Sequence, residues 1–222
     1  MNTTTSAREY TAQIRWAGLL YLVIIICGLG AELGVRQVLI DRANASATAS
    51  AILARPELFR LGIAADLVMA MADVALAILL FLVFRLVSPA LALAAMVFRL
   101  VQAAIIAINL LAMQAAWLVL SGDGDPVQAV FLMDLHGHGY DLGLFFFSIN
   151  SLIMGLLIWR SDTFENLFGV ALCLAGLVYF TGSSIHFFAP SQLESILPAY
   201  GITILAELAF CLRLLLHRQP TA

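Results

Sequence analysis

The sequence predicts an all-α fold, a polytopic transmembrane bundle of six helices. Of its 222 residues, 63% are hydrophobic and only 11% are charged, with a mean hydropathy of +1.00. Soluble domains have a much more polar composition. The apolar residues form blocks of about twenty, the length that a helix needs to cross a hydrocarbon core of about 30 Å. Barrel strands would instead show alternating stretches of about ten residues.

Six apolar blocks divide the chain, and we expect them to form one domain that covers residues 1–222. The predicted spans are residues 16–39, 58–86, 90–120, 127–159, 167–188 and 197–216. The first span follows Arg8 and Arg15. Arginines before an apolar block are typical both of an uncleaved membrane anchor and of a signal peptide, and the length of this span favours the anchor.

The connections between the blocks are short except for the first. Residues 41–57 are mostly small and polar, which predicts the longest loop. Because only residues 87–89 separate the second and third spans, these two helices are expected to form an antiparallel hairpin. Pro126 suits the first turn of the fourth span, and residues 189–195 join the fifth span to the sixth.

The distribution of arginines predicts that both termini lie in the cytoplasm. In that orientation, six arginines lie on the inner side: Arg8, Arg15, Arg85, Arg160, Arg213 and Arg218. The two short outer loops carry acidic residues and no arginine, as the positive-inside rule requires, whereas Arg42 and Arg55 in the first loop are exceptions. Trp16, Tyr21 and Trp159 lie near span ends and predict interfacial anchors.

Composition also excludes several classes of function. All eleven Lys and Arg positions are arginine, so neither a retinal Schiff base nor pyridoxal phosphate attachment is available. The formal charge of −3 and the absence of a basic patch with interleaved aromatics argue against nucleic acid as a partner. Cys27, Cys173 and Cys211 lie in apolar runs without paired spacing, which argues against a disulfide framework or a thiolate metal site.

Ionisable residues inside the predicted spans are the main functional signal. Each one costs about 2.5 to 3.5 kcal/mol at the bilayer centre, so a bundle made only to span the membrane would avoid them. The predicted binding residues are Glu32, Asp66, Asp73, Arg99, Gln102, Asn109 and Glu207. Most of them lie at mid-membrane or in the outer half, counting a rise of about 1.5 Å per residue. We therefore predict an outward-facing intramembrane polar pocket that binds a small or lipidic ligand.

Residues 134–141, in the fourth span, carry the densest set of reactive side chains. Asp134 and His138 are four residues apart and Asp141 follows one turn later, so the three share one face of a helix. Asp134 and His138, with His186 from the fifth span, predict a site for a divalent metal such as zinc. Asp134, His138 and Asp141 are the predicted catalytic groups of metal-assisted hydrolysis or of isomerisation of a lipid.

Three other interpretations of the same residues remain open, and whether the chain is an enzyme is left undecided. Intramembrane carboxylates also serve as coupling groups in proton-coupled transporters, and so small a bundle would then act as a homodimer. His136 or His138 with His186 suits the two axial positions of a haem. Finally, interhelical hydrogen bonds and ion pairs of about 0.6 to 2 kcal/mol each can simply hold a structural or interaction protein together.

Five segments of the chain resemble one family of bacterial membrane proteins. They are AGLLYL (17–22), LFRLGIAADL (58–67), FRLVQAA (98–104), LHGHGYDLGLFFF (135–147) and LAGLVYF (174–180). Through these segments the chain resembles, over nearly its whole length, the family catalogued as domain of unknown function 4386. The resemblance implies a six-span protein of the bacterial inner membrane in contact with the lipid bilayer. It implies no activity and no functional residue.

Overall fold

The computed structural model describes residues 3–218, and this part of the chain is almost entirely helical, with no strand. Its principal helices are α1 (Thr3–Ala31), α2 (Ala45–Ala54), α3 (Pro56–Phe84), α4 (Pro89–Ser121), α5 (Pro126–Trp159), α6 (Asn166–Phe188) and α7 (Tyr200–Leu215). Six helical segments are long and apolar enough to cross a membrane. The predicted all-α fold with six spans is therefore confirmed.

The starts of the central helices follow from local sequence. Pro56, Pro89 and Pro126 occupy the first turns of α3, α4 and α5, where a missing N–H costs no helical hydrogen bond. Ser88 and Asp125 cap α4 and α5, since Ser88 Oγ accepts from Leu91 N at 3.5 Å and Asp125 Oδ1 from Val127 N at 2.9 Å. These caps allow the tight connections that the hairpins need.

The first connection differs from the predicted loop. Residues 41–57 contain the helix α2. Half of its ten residues are alanine, which is small but is also the strongest helix former. Asn44 starts this helix by accepting a hydrogen bond from Ala47 N at 3.0 Å. Ile52 is fully buried in a cluster with Phe59 and Met133, so α2 covers one end of the bundle.

The first and last spans also differ from their predicted bounds. The α1 helix begins at Thr3, and its last turns pass through a π-helical segment (Glu32–Arg36) before they end at Gln37–Leu39. Short π-helical segments are frequent at functional sites. The predicted connection before the sixth span contains two short helical turns (Pro190–Gln192 and Leu193–Ile196). The predicted sixth span, residues 197–216, begins with a third turn (Leu197–Ala199) and becomes a regular α-helix only in α7.

The six spans form a closed ring in chain order. Each span packs against the next one along the chain, in the order α1, α3, α4, α5, α6 and α7. The last of them, α7, also packs against α1 and so closes the ring. Phe84, Leu157 and Phe210 belong to the apolar cluster toward the end of the bundle that holds both termini, here called the termini end. The opposite end, covered by α2, is called the α2 end. In such a ring every span turns one face toward the central axis.

Candidate functional site

All six spans contribute a polar side chain to one network on the axis of the bundle, here called the central network. Its members are Tyr21 on α1, Asp73 on α3, Arg99 and Gln102 on α4, Asn150 on α5, Tyr179 on α6 and Glu207 on α7. All are buried except Tyr179, which is partly buried. Four of them, Asp73, Arg99, Gln102 and Glu207, are among the predicted binding residues.

The Arg99 guanidinium and the Asp73 carboxylate form the ionic centre of the network. Arg99 Nε and Nη2 both lie 2.7 Å from Asp73 Oδ1, and Gln102 Nε2 donates to Asp73 Oδ2 at 3.2 Å. Arg99 Nη1 also reaches Asn150 Oδ1 at 3.5 Å. Charge-assisted hydrogen bonds of this length are strong, so the two charges balance each other inside the bundle.

Two aromatic rings complete the surroundings of Arg99. The guanidinium carbon lies 5.2 Å from the centre of the Tyr21 ring and 5.1 Å from that of Phe147. Ring faces at this distance attract a cation, and the attraction strengthens where water is absent. Asn150, whose Nδ2 donates to Ala95 O at 2.8 Å, holds its own position on α5. Arg99 is therefore fixed by contacts with three other helices, α1, α3 and α5.

Glu207 belongs to the same network but has a different kind of partner. Tyr21 OH donates to Glu207 Oε2 at 3.2 Å, and Tyr179 OH donates to Oε1. No arginine forms an ion pair with this carboxylate among the described residues. With one guanidinium and two carboxylates, the network is neutral when Glu207 holds a proton and negative when it does not. Glu207 is thus the member whose charge a proton can change without breaking an ion pair.

A second group of titratable side chains, here called the histidine cluster, lies between α5 and α6 near the α2 end. Its centre is Asp141, which pairs with His186 Nδ1 through Oδ2 and accepts from Ser183 Oγ at 2.8 Å through Oδ1. The His138 ring stacks on the His186 ring, with centroids 4.3 Å apart and planes 17° apart. The side chains of Asp141 and His186 are 15% and 23% exposed. Imidazole nitrogens and carboxylate oxygens can both take part in hydrogen bonds, so this partly exposed cluster can bond to polar groups that reach it.

Tyrosine hydroxyls lie between the histidine cluster and the central network. The Tyr200 hydroxyl contacts the position of Gly182, the neighbour of Ser183. The Tyr200 ring lies 6.0 Å from the Tyr179 ring, centre to centre, and Tyr179 OH donates to Glu207. A hydroxyl can both donate and accept a hydrogen bond, which suits it to pass a proton along. These tyrosines therefore lie between the two groups of titratable residues, with their rings adjacent, and Tyr179 is the one that is hydrogen-bonded to Glu207.

The remaining predicted site residues form separate pairs near the α2 end. Arg36 joins Glu32 to Asp66, with Nε at 2.7 Å from Glu32 Oε2 and Nη1 at 2.5 Å from Asp66 Oδ2. Asn109 Nδ2 donates to the His136 carbonyl at 2.6 Å. The predicted pocket would join these side chains to the central network, whereas in the structure Glu32 and Asp66 share Arg36 and Asn109 bonds to His136.

The predicted metal site is not assembled in this structure. Asp134 Oδ1 lies 2.8 Å from Arg42 Nε, so its carboxylate is already paired. His138 presents the face of its ring, not a ring nitrogen, to His186. Across residues 3–218, no three His, Cys, Asp or Glu side chains are grouped in a way that would hold a metal ion. The hydrolase interpretation of Asp134, His138 and Asp141 therefore gains no support from the geometry.

The space beside the central network is small. Two cavities lined by Arg99 and Asn150 have volumes of about 10 Å³ each. This is close to the smallest volume that accommodates one water molecule. A small or lipidic ligand therefore does not fit beside Arg99 in this conformation. A larger cavity, of about 620 Å³, lies at the termini end and is lined by none of the predicted site residues.

Sequence reasoning missed several members of the two groups. Tyr21 was expected to be an interfacial anchor, but α1 begins at Thr3, so Tyr21 lies well inside the helix and faces Glu207. Trp16 and Trp159, in contrast, are both more than half exposed, as such anchors would be. Tyr179, Ser183 and Asn150 carried no signal, since a single hydroxyl or amide inside a span is common. The partners of Asp141 became visible only once α5 and α6 were paired.

The fold and the central network define the class: an integral membrane protein with six membrane-spanning helices. The chain belongs to the family described as domain of unknown function (DUF4386), which matches residues 16–217. No curated protein and no solved structure matches the chain. Family membership confirms the resemblance found in the sequence.

Outside the spans, two titratable groups meet at the termini end. Arg213 Nε donates to Glu165 Oε2 at 2.8 Å, and this hydrogen bond lowers the pKa of Glu165. Burial lowers the pKa of His217 below its usual 6.5, and the nearby charges of Arg213 and Arg15 lower it further. Arg213 Nη1 lies 3.2 Å from His217 Nδ1, a contact in which the neutral ring accepts. His217 is therefore neutral when the helices are fully packed.

We expect stability to fall as pH drops below the usual pKa of histidine. A pKa that is lower in the folded state means that His217 contributes fully above about 6.5 and loses its contribution as pH falls through the folded value. Thermal unfolding of purified His217→Gln in detergent should show a smaller decrease in Tm between pH 7.5 and 5.5 than the wild type does. Equal decreases for both proteins would contradict this role of His217.

Proposed function

We propose that this protein is a proton-coupled transporter of a small or lipidic substrate in the bacterial inner membrane. The proton enters at the histidine cluster and reaches Glu207 through Tyr200 and Tyr179. One observation carries the proposal: Glu207 is buried on the axis and is held by two tyrosine hydroxyls instead of an arginine, and the Tyr179 ring beside it is next to Tyr200, on the side of the partly exposed Asp141–His186 pair. Titratable groups at membrane depth are expensive and mark proton relays and transport paths.

The chemistry of each group fits one part of this path. His186 and Asp141 share a hydrogen bond and are partly exposed, so the proposed path begins at this pair. A tyrosine hydroxyl can both accept and donate a hydrogen bond, and Tyr179 OH already donates to Glu207. At Glu207 the proton removes a negative charge on the axis, close to the balanced Arg99–Asp73 pair.

The charge of Glu207 can determine which conformation of the bundle is favoured. A protonated Glu207 leaves the central network neutral, which favours the closed ring, because an uncompensated charge inside the membrane is costly. An ionised Glu207 favours a conformation in which water or substrate reaches the axis. The two cavities of about 10 Å³ leave no room for substrate, so the substrate site belongs to that second conformation.

The arginine distribution supports the orientation in this proposal. Both termini lie in the cytoplasm, with the arginines at the termini end on the inner side, and the histidine cluster faces the outer half of the membrane. Inward proton movement then follows the direction of the usual proton gradient across a bacterial inner membrane. A homodimer of this small bundle is part of the proposal.

Proton flux into proteoliposomes tests the proposal. With a potential negative inside, imposed by potassium efflux through valinomycin, vesicles that contain the wild type should acidify several-fold faster than empty vesicles. A trapped pH-sensitive dye records the rate. Glu207→Gln and Asp141→Asn should reduce acidification to the rate of empty vesicles, since each removes a carboxylate that receives the proton.

The matched control is Glu57→Gln. This carboxylate is at the exposed start of α3, where it pairs with Arg60 at 3.1 Å, and its replacement removes the same charge outside the path. Glu57→Gln should acidify at the wild-type rate. Wild-type vesicles that behave like empty ones, or a Glu207→Gln protein as active as the wild type, would overturn the proposal.

A further inference from the structure

A groove of about 620 Å³ opens at the termini end, between the first turns of α1 and the last turn of α7. Its lining combines two kinds of side chain, three arginines and three large apolar residues. The arginines are Arg8, Arg15 and Arg218, and the apolar residues are Trp16, Leu19 and Leu215. It is separate from both the central network and the histidine cluster, which lie deeper and toward the α2 end.

The groove is strongly cationic. None of its three arginines forms an ion pair with a carboxylate within the part of the chain whose side chains are described. Arg15 is held in place because its Nε donates to His217 O at 3.0 Å, which leaves its other N–H groups free to face the groove. Guanidinium groups bind phosphate oxygens with matching geometry. The site is therefore complementary to a phosphate-bearing anion.

The apolar side of the groove continues onto the lipid-facing surface. Arg8 and Arg15 are seven residues apart and Leu19 follows four residues later, so all three lie along one face of α1. Trp16 is 59% exposed and Leu19 is 41% exposed. Trp at this level is typical of the boundary between headgroups and acyl chains. A ligand here would meet arginines at one end and apolar surface at the other.

We propose that this groove binds an anionic phospholipid from the leaflet on the side of the termini. The phosphate lies among Arg8, Arg15 and Arg218, and the acyl chains lie along Trp16 and Leu19. Basic pockets between transmembrane helices bind anionic headgroups in this way. A free phosphate ion would use the arginines alone and would leave the apolar wall of the groove unused.

Competition between two lipids of identical acyl chains tests the assignment. Purified protein in detergent is mixed with equal amounts of phosphatidylglycerol and phosphatidylcholine, and native mass spectrometry counts the lipids retained. The wild type should retain phosphatidylglycerol preferentially. Arg8→Gln with Arg218→Gln should lower that retention about fivefold per arginine removed, with phosphatidylcholine unchanged. Arg15 is left intact because it also anchors His217.

Two further variants separate lipid binding from general charge and from misfolding. Arg55→Gln with Arg60→Gln removes two arginines at the α2 end and should retain phosphatidylglycerol like the wild type. Arg8→Lys with Arg218→Lys keeps the charge and should keep most of the preference. Equal retention of both lipids by the wild type, unchanged retention in the Arg8→Gln/Arg218→Gln protein, or displacement of phosphatidylglycerol by millimolar inorganic phosphate would overturn the proposal.

Discussion

Replacing Arg99 with methionine is expected to destabilise the bundle by about 3 to 5 kcal/mol, because it leaves a buried charge without its partner. Asp73 would retain only the 3.2 Å hydrogen bond from Gln102, in place of two contacts of 2.7 Å with the guanidinium. The rings of Tyr21 and Phe147 would also lose the cation that lies about 5 Å from each. Reversible unfolding in mixed micelles of mild detergent and sodium dodecyl sulfate measures the loss of free energy of unfolding.

The double variant Asp73→Asn/Arg99→Met distinguishes the ion pair from simple packing. It buries no charge, so it should recover a large part of the stability that Arg99→Met loses. Arg55→Met, at the exposed end of α2, should change stability by no more than about 0.5 kcal/mol. An Arg99→Met protein that is no less stable than Arg55→Met would show that the pair does not hold the bundle together.

Gly155→Ala is expected to destabilise the protein by about 1 to 3 kcal/mol, since it overpacks the closest crossing of α5 and α6. A Cβ at Gly155 would lie 2.6 Å from Gly169 O and would also press on Cys173 Sγ. Gly169 O is a backbone atom, so it can move away only if the two helices separate. Small residues allow membrane helices to approach this closely. Tm in detergent measures the effect.

Gly30→Ala is the matched control for this crossing. Gly30 lies on α1, and no atom lies within 4 Å of the Cβ that alanine would add there. Alanine is the better helix former, so this variant should be as stable as the wild type or more stable by up to about 1 kcal/mol. A Gly155→Ala protein with the same Tm as Gly30→Ala would mean that α5 and α6 do not need this contact.

The fold class could be predicted because the bilayer constrains it strongly. An apolar block of about twenty residues forms a membrane-spanning helix, because a helix pairs all of its backbone polar groups internally. The first and last residues of each helix follow less directly from the sequence, because helices end where water and lipid meet. Residues 45–54 are small, which predicts a loop, yet they form α2, and α1 extends to Thr3, beyond the apolar block.

The candidate site could be predicted only in part, for a geometric reason. The spacing of residues shows which side chains share a face of one helix, but it does not show which neighbouring helix that face meets. Asp73, Arg99 and Glu207 all belong to the central network because each lies near the middle of its span. Asp134 was grouped with His138 by spacing, whereas in the bundle it faces Arg42 on another segment.

Infrared difference spectroscopy on the reconstituted protein can show whether a buried carboxyl group on the axis gains and loses a proton. Lowering the pH should produce a carbonyl-stretching band of a protonated carboxylic acid, and raising the pH should remove it. We expect this band to disappear in Glu207→Gln and to persist in Glu57→Gln. An unchanged band in Glu207→Gln, or no such band in the wild type, would contradict it.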